Sequence, residues 1–185
     1  MRELYDYRSK WGDYTREDYD KKFPYYLPFA TGEEYELSQG YNGSETHRGK
    51  NALDFNMPEG TIITAVRAGT VVELVEEHNK GCSQEYCEAF DNYVIVYHED
   101  NTLAKYSHLR QNGVLVELGA EVTAGQPIGE SGSTGWAKGP HLHFSVFLAD
   151  YEEPKTLKTV FRLRANRPGK GYKVKEGKWY ARKYE

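Results

Sequence analysis

The chain has 185 residues and 38% hydrophobic content, enough to bury one core but not two, so a single domain is expected. A net charge of -4 gives no basic field to hold a nucleic-acid backbone, which excludes nucleic acid as the expected partner. No apolar run reaches the length of a membrane-spanning helix, and Met1-Arg2-Glu3-Leu4-Tyr5-Asp6 lacks the apolar stretch of a secretory signal.

Residues 1–26 are dense in Asp, Lys, Arg and Tyr without a helical stripe, and are expected to form an irregular N-terminal arm. Its rings, Tyr5, Tyr7, Tyr14, Tyr19, Tyr25 and Tyr26, are expected to lie over the domain surface with their hydroxyls wet. The domain proper is expected over residues 27–160. Short β-like runs follow one another there: Thr61 to Thr64, Thr70 to Val75, Tyr93 to Tyr97, Thr102 to Tyr106, Val114 to Leu118 and His143 to Leu148. Turn residues separate them, including Glu59-Gly60, Ala68-Gly69, Asn112-Gly113 and Ala124-Gly125. With no long period-3.6 stretch, the fold class expected is mainly β and antiparallel. Cys82 and Cys87 stand in a polar stretch between two of these runs, either as a disulfide at a hairpin tip or as reduced bystanders. Residues 161–185 form a basic C-terminal extension interleaved with Tyr172, Trp179 and Tyr180, read as a solvated edge strand in preference to a contact with an anionic polymer.

Four of the six histidines sit in settings suited to chemistry. His47 lies in a glycine-flanked loop, His108 ends a β-like run, and His141 and His143 begin another. Residues two apart on a strand share a face, so His141 and His143 project into one site while Leu142 turns into the core. The glycine-rich run from Gly129 to Pro140 is too open for helix and suits a cleft wall. Zinc takes imidazole and carboxylate ligands, and a catalytic site keeps three protein ligands with water in the fourth position; two histidines and Asp54 fit that count. Two further histidines are then left for proton transfer and for stabilising an oxyanion. His78 and His98 stand among charged residues and are expected to be ordinary surface side chains.

Taken together and in this order, these motifs resemble the lysostaphin-like zinc endopeptidases, peptidase family M23, from about Leu27 to Leu148. His47 with Asp54-Phe55-Asn56 looks like the family's first ligand pair, Tyr106-Ser107-His108-Leu109 like its middle motif, and Gly139-Pro140-His141-Leu142-His143-Phe144 like its closing motif. The segment Val116 to Gly129 resembles a turn-rich hairpin also found in lipoyl-type domains. One departure is clear: six residues separate His47 from Asp54, where the best-known members have three.

The resemblance implies a compact antiparallel fold of the duplicated hybrid type, Zn2+ held by His47, Asp54 and His143, and His108 and His141 as catalytic residues. It implies an endopeptidase acting on cross-links or stem peptides of peptidoglycan. Such an enzyme works outside the cytoplasm, periplasmic, envelope-bound or secreted, which assumes a signal sequence not included in these residues; the alternative is a cytoplasmic protein. The rival reading is an inactive M23-like module that binds the wall or regulates another wall hydrolase; the presence of all five polar positions favours activity.

Overall fold

The structure is a computed structural model that describes residues 19–149 and 154–185, so Tyr5, Tyr7 and Tyr14 of the expected arm lie outside the described residues. In chain order the strands are β1 Pro24–Tyr25, β2 Glu34–Gln39, β3 Ala52–Asn56, β4 Ile62–Thr64, β5 Gly69–Val75, β6 Gly81–Cys82, β7 Tyr93–Tyr97, β8 Thr102–Ser107 and β9 Leu109–Val114. There follow β10 Glu121–Val122, β11 Pro127–Ser131, β12 Gly135–Trp136, β13 His141–Leu148, β14 Lys155–Leu157, β15 Val160–Arg162, β16 Gly171–Tyr172 and β17 Lys178–Ala181. Among the described residues one 3-10 helix, Glu85–Phe90, interrupts them.

A large sheet runs in the order β10-β5-β7-β8-β13-β3-β2-β17, with β14 against the second half of β13, and all its pairings are antiparallel. The period-2 pattern of β13 explains its central place. Leu142, Phe144, Val146 and Leu148 face inward and are buried, while His141 and His143 occupy the other face. The buried row continues through Tyr106, Leu53, Phe55 and Leu37, and packs against Ile63, Leu109 and Ile128 of a small β4-β11-β9 sheet. One face of the large sheet is therefore core. The other carries the site and, beside it, a smaller cluster of Val72, Ile95 and Leu103 packed with Phe147.

Two minor sheets include short parallel pairings, β1 with β15 and β6 with β12. Tyr25 on β1 is buried rather than laid over the surface, and its hydroxyl meets Thr102. At the other end of the chain β17 is an edge strand of the large sheet, and buried Arg182 just after it donates to the Phe29 carbonyl and to Thr64.

Three expectations need correction. No strand covers Val114 to Leu118: the strand is Leu109–Val114, and Leu115 and Leu118 are exposed beyond it. A left-handed Asn112, φ 53°, accommodates Asn112-Gly113 as an irregularity inside that strand instead of as its boundary. His98 is fully buried, because Tyr25 packs beside its ring and Thr102 takes both its backbone N–H and its Nδ1. Burial pushes its pKa down to about 3.

Candidate metal centre and groove

Cross-strand register sets the floor of the site. Asp54 on β3 lies opposite His143 on β13, which lies opposite Ser107 on β8; one row over, Asn56 lies opposite His141. Directly opposed residues share a face. Asp54, His141 and His143 are thus gathered by strand pairing alone, with Leu142 buried on the other side.

His47 reaches the same point from the loop between β2 and β3. Its Nε2 lies 3.2 Å from Asp54 Oδ1 and 3.2 Å from His143 Nδ1, and those two atoms are 2.9 Å apart. A tetrahedral ion with bonds of ~2.0–2.2 Å sets its ligand atoms roughly 3.3–3.6 Å apart. The observed triangle falls just short of that edge. The proton count also matters: His47 Nδ1 donates to the Gly40 carbonyl at 3.0 Å, so in a neutral ring Nε2 carries only a lone pair. A bare nitrogen facing a carboxylate oxygen at 3.2 Å is the approach a cation reconciles. His47, Asp54 and His143 together are a group able to hold a metal ion among the described residues.

The loop length that departs from the short family spacing is absorbed by Gln39. Its Nε2 donates to Asp54 Oδ2 at 2.8 Å, and its Oε1 accepts the backbone N–H groups of Glu45 and Thr46, both at 3.1 Å. The Glu176 carboxylate accepts the Gly40 N–H at 3.0 Å, so the C-terminal extension steadies the residue that orients His47.

His108 and His141 stand beside the triangle. His108 sits between β8 and β9 with φ 66°, a left-handed conformation uncommon for a residue with a side chain. Asp91 Oδ1 accepts its backbone N–H at 2.9 Å, and the Thr134 carbonyl accepts Nδ1 at 2.8 Å. Gly135 packs against Asp91 so closely that a Cβ there would lie 3.0 Å from its Cα, which holds the glycine-rich loop against this corner. His141 Nδ1 donates to the Gly139 carbonyl at 2.9 Å, and its Nε2 lies 3.9 Å from Asp54 Oδ1. With both Nδ1 atoms occupied, each ring offers Nε2 for chemistry. Their centroids are 4.7 Å apart.

Burial opposes ionisation of Asp54, yet hydrogen bonds and charge from His143 and His47 hold its carboxyl well below the usual range. Burial favours neutral His47, but the Asp54 hydrogen bond and charge outweigh it and raise that pKa, so a second proton on Nε2 is the alternative to a metal ion between the two groups. Burial lowers His143 and His141, and the charge of His108 adds to the effect on both. Asp91 is depressed against its own burial by His108 and Lys105, the Lys105 ammonium lying 3.1 Å from its Oδ2. A groove of about 470 Å³ opens over these residues, with Trp136, Lys138, Gly139 and Pro140 of the glycine-rich loop on one side and Glu45 and Thr46 of the His47 loop on the other. Cys82 and Cys87 form a disulfide behind the Trp136 side, where β6 pairs with β12. His78 stays half-buried against Phe90, away from the site.

The model of peptidase family M23 matches residues 48–154, more than half of the chain. The chain belongs to peptidase family M23. The M23 match begins one residue after His47 and takes in Asp54, His108, His141 and His143. Among curated relatives, an uncharacterized metalloprotease of Buchnera aphidicola subsp. Baizongia pistaciae is 32% identical over 74% of this chain and 35% of its own length. Peptidoglycan DD-endopeptidase ShyA of Vibrio cholerae is 36% identical over 53% of this chain and 20% of its own length. The solved antimicrobial peptidase lysostaphin from Staphylococcus simulans superposes with a TM-score of 0.50 at 31% identity, covering 64% of this chain and 44% of that one. This chain therefore spans about a fifth to a third of the curated relatives' length. The mainly β, antiparallel M23-type fold expected from the sequence is the fold observed.

Sequence reading missed the residues that orient the histidines: Gln39, Gly40, Asp91 and Thr134. Asp91 carried a signal as an acid two residues before the apolar run Tyr93 to Tyr97, and Thr134 lay in the glycine-rich run read as a cleft wall, though neither was given this role.

Proposed function

We propose that this chain is a zinc-dependent endopeptidase that hydrolyses peptide cross-links or stem peptides of bacterial peptidoglycan, outside the cytoplasm. The observation that carries the reading is the triangle of His47 Nε2, Asp54 Oδ1 and His143 Nδ1, with two imidazoles beside it under an open groove. The peptidoglycan substrate rests on likeness to relatives named as peptidoglycan endopeptidases.

His47, Asp54 and His143 would hold the zinc, which when bound acts as a Lewis acid and lowers the pKa of a bound water to about 7. The chain's own residues do the rest. His108 and His141 present free Nε2 atoms, one as a lone pair that takes a proton from the attacking water and returns it to the leaving amine, the other, when its ring carries a second proton, to donate to the developing oxyanion. Burial keeps His141 neutral near pH 7, as a proton acceptor requires. The Thr134 and Gly139 carbonyls fix the tautomer of each ring.

Digestion of purified peptidoglycan of known cross-link chemistry, with the products weighed by mass spectrometry, tests the reading. Release of peptides cut at one bond type, abolished by His141→Ala, supports it. An intact wall contradicts it and favours a non-catalytic binding module, and a wall digested equally by that variant contradicts catalysis at this site.

A further inference from the structure

Register carries the groove floor beyond the residues that line it. Trp179 on β17 lies opposite Glu36 on β2, Glu36 opposite Asn56 on β3, and Asn56 opposite His141 on β13. The four residues therefore share the site face of the large sheet in a single row. Tyr180, one residue on from Trp179, packs on the core from the other face, while Trp179 is 62% exposed. Asn56 Nδ2 donates to the Glu36 carboxylate at 3.5 Å, and Asn56 also lines the groove. β17, like β2, lies outside the residues matched by the M23 model.

We propose that Trp179, with Glu36 and Asn56, forms a distal subsite that takes a sugar ring of the substrate's glycan; this rests on the peptidoglycan reading above. Three strand spacings of ~4.8 Å put Trp179 about 14 Å from His141. An extended peptide covers that span in about four residues at ~3.4 Å each. A stem peptide cut beside His141 and running over Asn56 and Glu36 delivers its sugar to the indole. Sugar chemistry fits the place. The C–H face of the ring packs on the exposed indole, while its hydroxyls find an acceptor in Glu36 and a polar amide in Asn56.

The test compares kcat/KM on two substrates: cross-linked muropeptides still carrying their disaccharides, and the same peptides after an amidase has removed the sugars. Wild type should favour the sugar-bearing form by about tenfold, mainly through KM, as one aromatic stacking contact implies. W179A should bring the ratio of the two values close to one, and W179F should retain most of it. General damage to the fold lowers both values and leaves the ratio, so the ratio reads the subsite. A wild type with no preference, or W179A keeping it, overturns the subsite while leaving the peptidase reading intact. A wild type that cuts neither substrate overturns both.

Discussion

Asp54, His141 and His143 stand on paired strands, whereas His47 and His108 stand on irregular backbone, and the two groups are kept in place by different means. On the strands, register and an alternating buried row do the work: Leu142 and Phe144 fix the orientation of the histidines between and beside them. Off the strands, each histidine depends on polar partners outside any strand pairing of its own: the Gly40 carbonyl, itself held by Glu176, for His47, and Asp91 and Thr134 for His108. Packing supplies one half of the site and buried hydrogen bonds the other. Damage should differ accordingly, since a lost hydrogen bond in the second half misplaces a ring without unfolding the sheet.

The largest effect should come from the strand-borne ligand. His143→Ala removes one corner of the triangle, and both bound zinc and wall digestion should fall to background, read by metal analysis and turbidity loss. His108→Ala should keep the zinc and lower kcat by about 10²–10⁴-fold, the range for losing a general acid or base. A variant that loses metal as well would place His108 among the ligands and blur the contrast.

Asp91→Ala tests the loop-borne half while keeping both imidazoles, since it removes the carboxylate that accepts the His108 backbone N–H and lies 3.2 Å from its Nδ1. Zinc should stay and kcat should drop by about 10–100-fold, as for other partners that orient a functional histidine. Asp91→Asn should recover part of the loss, because its amide oxygen can still accept the His108 N–H. Unchanged kcat in Asp91→Ala would mean that His108 is positioned by Thr134 alone.

Smaller effects concern stability. His98 is buried and neutral with a pKa near 3 against 6.5 in the unfolded chain, so its contribution is complete above pH 6.5 and is lost as pH falls toward 3. The loss should approach ~1.4 kcal/mol per pH unit within that window. His98→Asn can keep the hydrogen bond to Thr102 without titrating, and its unfolding free energy should fall less on acidification than that of wild type. Parallel pH profiles in denaturant titrations would contradict this. Replacing Cys82 and Cys87 by Ser opens a short loop behind the groove wall and should cost about 2 kcal/mol in the same measurement.

The same division decides what was legible in the sequence. His141-Leu142-His143 announced both the strand and the shared face, because a period of two is written in adjacent letters. The strands Tyr93–Tyr97 and Thr102–Ser107 were readable for the same reason. Gln39, Asp91 and Glu176 were not, since each acts through a partner 15 to 136 residues away that no local pattern names. His98 misled because its neighbours Glu99 and Asp100 suggest a surface, while its burial depends on Tyr25, 73 positions earlier. Val114 to Leu118 misled because apolar composition marks a candidate strand but not whether a partner strand lies beside it.

The central claim is that His47, Asp54 and His143 hold one catalytic zinc. It is tested most directly by stripping metal from the chain, adding zinc back in steps, and following bound zinc and wall digestion together. The account predicts that both rise in parallel and saturate at one zinc per chain in wild type, and that neither rises in His143→Ala. Full digestion by the stripped chain, or by His143→Ala, would contradict it.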